Sequence, residues 1–74
     1  MIVTVRCLSS LAGVQPASPQ MEFPSGALLS DVYQRLGLPP DADVVAIIDG
    51  GPANPGTPLK DGAVIELVPM VEGG

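Results

Sequence analysis

The chain has 74 residues, 46% of them hydrophobic, and a net charge of −5, which describes one small acidic domain with a core of its own rather than a disordered segment. Arg6, Arg35 and Lys60 are its only side-chain cations, so no basic patch exists to neutralise phosphates, and this argues against nucleic-acid binding. No apolar run approaches the length of a membrane span and no charged-then-apolar signal segment opens the chain, so the expectation is a cytoplasmic protein with no membrane partner.

Phe23 and Tyr33 are the only aromatic residues, so the core must be built from Val, Ile, Leu and Ala. Ile2 to Leu8 is rich in β-branched residues and predicts a strand. Alternation puts Val3, Val5 and Cys7 on one face and Ile2, Thr4, Arg6 and Leu8 on the other. Arg6 needs water, so the first face is expected to be the core. Cys7 has no second cysteine to pair with, in keeping with a reducing compartment. On an inward strand face it reads as core packing, not as a reactive thiol. Ser9 to Pro19 reads as a loop, and Gln20 to Phe23 as a short second strand closed by Pro24-Ser25-Gly26.

Leu29, Val32, Tyr33 and Leu36 fall at i, i+3, i+4 and i+7, which predicts a helix over Leu28 to Leu36 with one buried face. Asp31 and Arg35 form a favourable i,i+4 pair that also suits the helix dipole. Ser25 is the candidate N-cap; Gly37 stops the helix and Pro39-Pro40 forbids its continuation. Val44 to Ile48 is uniformly apolar and predicts a third strand, buried on both sides or nearly so. Asp41 and Asp43, just before it, lack further ligands at metal-binding spacing and read as a solvated loop. Asp49-Gly50-Gly51 turns the chain, and Pro52 to Pro58 reads as irregular. After a turn at Lys60-Asp61-Gly62, Val64 to Val68 predicts the last strand, with Ile65 and Leu67 on one face and Glu66 marking the wetter one.

The order strand, strand, helix, strand, strand is an α+β arrangement, a small mixed sheet with one helix packed on one face. Residues 1–69 are expected to form the domain and residues 70–74 a flexible tail ending in Gly73-Gly74. Glycine has no Cβ, so such a tail passes where a larger residue clashes. Extended, it would reach about 15 Å at roughly 3.3 Å per residue. A tail of this kind suits delivery of the α-carboxylate of Gly74 into a narrow pocket on another protein.

Val3-Thr4-Val5-Arg6, then Gly26 to Val32 followed by Leu36-Gly37-Leu38, then Leu59-Lys60-Asp61-Gly62, then Glu66 to Gly74, occur in an order that resembles the ubiquitin-like sulfur carriers of the MoaD/ThiS family. The resemblance spans nearly the whole chain and implies the β-grasp (ubiquitin-like) fold. It further implies that Gly74 is adenylated by an E1-like enzyme of the MoeB/ThiF type, at the expense of ATP, and then converted to a thiocarboxylate. Its sulfur would pass to a precursor held by a synthase that is MoaE-like or ThiG-like. ATP would belong to the E1-like partner, with no cofactor bound by this chain. The chain lacks His, a phosphate-cradling Gly-Lys-Ser/Thr loop and a nucleophile–base pair, so it does not read as catalytic alone.

Val68-Pro69 before the tail resembles the MoaD-like branch, small subunits of molybdopterin synthase, so molybdenum or tungsten cofactor synthesis is the expected pathway, with thiazole synthesis or another sulfur-transfer pathway as the alternative. The short length resembles the ThiS-like carriers of thiamine thiazole synthesis. A ubiquitin-like modifier conjugated to lysines is the alternative from another class, with Lys60 as a conceivable isopeptide acceptor, although a turn lysine is ordinarily just solvated. In a β-grasp fold the first and last strands are parallel neighbours. Leu8 and Val68 would then meet on the outer face at the base of the tail. With Pro69, Met70, Val71 and Glu72 they make up the expected partner-binding set, beside Gly73 and Gly74 as the reacting end. Three positions depart from the family pattern: Leu28 where the helix usually has a Thr cap, Asp49 where Asn is common, and the bulky, charged Glu72 before Gly-Gly.

Overall fold

A computed structural model describes residues 1–70. Five strands, β1 (Ile2–Cys7), β2 (Gln20–Glu22), β3 (Val44–Ile48), β4 (Gly51–Ala53) and β5 (Val64–Pro69), form one sheet in the order β2-β1-β5-β3-β4. A single helix, α1 (Leu29–Leu36), lies between β2 and β3 in the chain, and a 3₁₀ segment (Ser9–Val14) follows β1. The central pair, β1 and β5, is parallel, and every other strand pair is antiparallel. The sheet is mixed and the architecture is β-grasp, as expected.

The core lies on one face of the sheet. Val3, Val5 and Cys7 of β1 and Ile65 and Leu67 of β5 point into it, joined by Met21, Phe23, Ala46, Leu59 and the helix residues Leu29, Val32 and Tyr33 in one buried cluster. Arg6 and Glu66 had assigned both strand faces correctly. Burial raises the thiol pKa of Cys7 and the phenol pKa of Tyr33.

The helix starts without a side-chain oxygen at its N-cap, which is Leu28 and not Ser25. Its orphan donors are met in another way. The N–H of Leu29 donates to the Thr57 carbonyl (2.9 Å) and that of Ser30 to the Pro55 carbonyl (2.9 Å), while the N–H of Leu28 donates to Asp31 Oδ2 at 2.7 Å. The loop that supplies the two carbonyls is itself fixed, with the N–H of Asn54 donating to Thr57 Oγ1 (3.0 Å) and that of Gly56 to Asn54 Oδ1 (2.9 Å). A Thr cap is dispensable here because a loop 25 or so residues downstream takes over its task, in line with the rule that buried helix ends find partners. Gly37, at φ 79°, closes the helix. Its N–H donates to the Gln34 carbonyl and that of Leu38 to the Tyr33 carbonyl, the Schellman pattern that needs a left-handed residue.

Four further readings of the sequence change. Asp31 and Arg35 have separate partners rather than each other: Asp31 caps Leu28, and the Arg35 guanidinium stacks over the Phe23 ring at 4.5 Å. The third strand is not buried on both sides, because the single helix covers only one face; Ala46 is buried, whereas Val45 is 41% exposed. The stretch Pro52 to Pro58 begins with part of β4, a strand beyond the four expected. Pro52 is accommodated in β4 because β4 is an edge of the sheet and carries only a short ladder to β3. The Ser9 to Pro19 loop contains the 3₁₀ turn.

Asp49 keeps the part that Asn would play in its place. It sits at φ 50°, followed by Gly50 at φ 83°, the two left-handed residues of a tight hairpin turn. Its N–H donates to the Val64 carbonyl (2.9 Å) and its Oδ1 accepts from the Val64 N–H (2.9 Å), tying the β3–β4 turn to β5.

Two outcomes follow. Asp31→Ala strands the Leu28 N–H and should cost about 1 kcal/mol, a fall in Tm of roughly 4–8 °C for a domain of this size, read by thermal denaturation. Cys7 keeps its proton to higher pH in the folded chain than in the unfolded one. Its contribution is therefore complete below the ordinary thiol pKa, about 8.5, and declines as pH rises beyond it, since the unfolded chain ionises first. Cys7→Ala should flatten the fall in Tm that sets in above about pH 8.5, leaving the part due to Tyr33, which sets in above about pH 10.

Candidate docking site at the base of the C-terminal segment

The helix covers one side of the sheet, and among the described residues no element covers the other. Alternation places Ile2, Thr4 and Arg6 of β1, Val64, Glu66 and Val68 of β5, Val45 and Ile47 of β3, and Pro52 of β4 on that outer face. None of these residues belongs to the buried core. The register then sets them in rows. Arg6 pairs with Glu66, Glu66 with Ile47, and Ile47 with Pro52, which makes one row across four strands. Val45 pairs with Val68 in the next row. Leu8 lies one step beyond the Cys7–Leu67 pair and reaches the same row from the other side of β5. Its backbone is still extended, at φ −101° and ψ 159°, and its N–H donates to the Leu67 carbonyl at 2.9 Å.

The result is an apolar row of Leu8, Val68 and Val45 at one end of the sheet. Leu8 is 39% and Val45 41% exposed, and Val68 is half-buried. Pro69 is half-buried, and Met70, 59% exposed, stands immediately beyond the row. The Met70 N–H donates to the Asp43 carbonyl at 2.9 Å, which continues the β5–β3 pairing one residue past the strand. Asp43 is exposed beside it, and Asp41, two residues earlier in the chain, is exposed as well. Apolar residues grouped at the point where the chain leaves the sheet, with acidic side chains at their edge, form a surface suited to a protein partner.

The structure therefore brings together Leu8, Val68, Pro69 and Met70. Val71, Glu72, Gly73 and Gly74 lie outside the described residues. Val45 and Ile47 were missed. Every residue of β3 is apolar, so its alternation is invisible in the sequence, and the register with Val68 and Glu66 reveals the face. Lys60 is exposed in the turn that leads into β5, at the opposite end of the sheet from Leu8 and Val68.

A concavity of 650 Å³ lies on the helix side, between Phe23–Ala27 and Asp31, Gln34 and Arg35. It is an open groove whose two charged groups already serve the helix cap and the Phe23 ring. Among the described residues no group of three or more Cys, Asp or Glu could hold a metal ion, and no helix is long and apolar enough to cross a membrane.

The ThiS family profile matches residues 9–74. The chain belongs to the ThiS family. Solved structures share its fold. A Pyrococcus furiosus protein described as molybdopterin converting factor, subunit 1 superposes with a TM-score of 0.78 at 22% identity, covering 96% of this chain and 99% of the other. SAMP1 from Haloferax volcanii gives 0.77 at 20% identity and covers both chains fully. The HVO 2177 protein of the same organism gives 0.76 at 19% identity, over all of this chain and 87% of its own. A comparison with curated proteins by sequence found no match.

Leu8→Asp or Val45→Asp should leave the fold intact, because both side chains already meet water, and should weaken binding to a partner that covers this row by a few kcal/mol. Circular dichroism and titration calorimetry on each variant check the two halves; unchanged affinity would remove the residue from the interface.

Proposed function

We propose that this ThiS-family chain is a sulfur carrier whose reacting group is the α-carboxylate of Gly74. The observation that carries the reading is the open apolar row of Leu8, Val68 and Val45 at the point where the chain runs on from Met70 towards Gly73-Gly74. Family membership extending through residue 74 supports it.

The chemistry belongs to partners. A carboxylate is a poor electrophile. An E1-like enzyme of the MoeB/ThiF type would let the Gly74 carboxylate attack the α-phosphorus of ATP, releasing pyrophosphate. A sulfur nucleophile would then add to the acyl carbon of the adenylate and expel AMP, leaving a thiocarboxylate. A synthase would receive the sulfur. The domain's own task is to dock and to hold the segment's starting point, so that the glycines reach the partner's site in extended form. Molybdopterin synthesis is the pathway we favour, with a MoaE-like synthase as acceptor; a structural neighbour described as molybdopterin converting factor, subunit 1 supports it. The acidic surface, −5 in net charge, would speed association with a basic docking face and make it salt-dependent.

Incubation with ATP, sulfide and the E1-like enzyme of the source organism should produce an oxygen-to-sulfur mass change at Gly74. Deleting Gly74 should abolish it with little change in Tm. Thiolation of the deletion variant would place the reacting group elsewhere. A glycyl isopeptide on other proteins, with no thiocarboxylate, would identify a protein modifier instead. Sulfur transfer to a ThiG-like and not a MoaE-like synthase would move the pathway to thiazole synthesis.

A further inference from the structure

The strand β1 is left incomplete on its outer side. β2 pairs with it only at Ile2, Val3 and Thr4, and the Pro19 carbonyl takes the Val5 N–H at 2.7 Å. Beyond that point the Val5 carbonyl and the Cys7 N–H face a place where no strand runs. The side chain of Gln15 fills it. Gln15 Nε2 donates to the Val5 carbonyl at 2.9 Å, and Gln15 Oε1 accepts from the Cys7 N–H at 2.7 Å. One primary amide offers a donor and an acceptor side by side, as a peptide group of a neighbouring strand would.

Gln15 also marks the end of the excursion that begins at Leu8. Leu8 is the last extended residue, Ser9 turns left-handed at φ 53°, and the 3₁₀ segment Ser9–Val14 carries the chain back. A non-glycine residue keeps a left-handed backbone only where its surroundings hold it there. Within the excursion the Leu11 N–H donates to the Leu8 carbonyl at 3.0 Å, and Leu11 and Val14 pack partly against the core. The loop is thus closed at one end by the Leu8 N–H on Leu67 and at the other by the Gln15 amide on β1.

We propose that Gln15 is a positioning residue for docking: by standing in for the missing strand beside β1 it fixes the Leu8–Val14 excursion, and with it the place of Leu8 next to Val68. Its effect on function passes through Leu8, not through contact with the partner's reacting groups. The inference rests on the docking role of the Leu8–Val68–Val45 row. A glutamine is suited to the task because an apolar residue would leave both backbone groups unpaired, and an ionised glutamate has no proton to give the Val5 carbonyl.

A double-mutant cycle tests it. The full chain, Leu8→Ala, Gln15→Ala and the double variant are assayed with ATP and the E1-like enzyme of the source organism, reading KM and kcat for the carrier by pyrophosphate exchange. Amide exchange is followed in parallel on the free chains. Gln15→Ala should raise KM roughly fivefold with kcat unchanged, and the double variant should be no worse than Leu8→Ala alone. Amide exchange should quicken at Leu8 and Leu11, while Phe23 and Leu59, bonded elsewhere in the domain, stay protected. Additive effects on KM, an unchanged KM for Gln15→Ala, or equal loss of protection at Phe23 and Leu59 would overturn the role of Gln15 while leaving the docking row standing. An unchanged KM for Leu8→Ala would remove the docking row itself.

Discussion

The parallel pairing of β1 with β5 is the constraint on which the rest depends. It runs from Thr4–Val64 to Cys7–Leu67 at the centre of the sheet. Parallel strands finish at the same edge, so the end of the first strand and the start of the C-terminal segment become neighbours. β3 runs antiparallel to β5 and therefore begins at that edge, with Val44 beside Pro69 and Val45 beside Val68. Three segments far apart in the chain converge where residue 70 leaves the sheet. The crossover between β1 and β5 holds everything else, including the helix, which is placed on the side where the inward residues of both strands need cover.

Much of this was legible because single charged residues break the apolar pattern. Arg6 in β1 and Glu66 in β5 each mark a wet face, and the inward sets Val3, Val5, Cys7 and Ile65, Leu67 follow from them. Where no such marker exists the reading fails. Val44 to Ile48 has no polar residue, so burial on both sides was the natural inference, and only the pairing of Val45 with Val68 and of Ile47 with Glu66 shows the second face. β4 was hidden by Pro52, a residue that argues against a strand unless the strand lies at an edge. The candidate site was half legible for the same reason. Leu8 and Val68 come from alternation combined with the expected topology, whereas Val45, from the uniformly apolar strand, does not. Gln15 was invisible, since a side chain that replaces a missing strand leaves no periodic signal.

Two of the three departures from the family pattern, Leu28 and Asp49, have physical explanations of one kind. Leu28 lacks the oxygen a Thr cap would give, and the carbonyls of Pro55 and Thr57 supply partners for the first helical N–H groups. Asp49 replaces Asn at a left-handed turn position, and its carboxylate oxygen still accepts from Val64. In both cases the requirement is a hydrogen-bond acceptor or donor at a point in space, and the chain can meet it from more than one residue.

A sheet face left open in so small a protein carries a hazard, because exposed apolar strands invite pairing with other copies. The edges of this sheet are poor templates. β2 and β4 have three residues each, and Pro52 offers no N–H. Past the end of the β1–β2 pairing, where β1 would present free backbone groups, Gln15 occupies them. The exposed carboxylate of Asp43, beside Met70 where the chain leaves the sheet, adds like-charge repulsion between copies at that end. Short, blocked edges make strand pairing with other copies less favourable at either side of the row of Leu8, Val68 and Val45. The exposure of that row is then an opening that a partner of opposite charge can use, beside the residue from which the C-terminal segment departs.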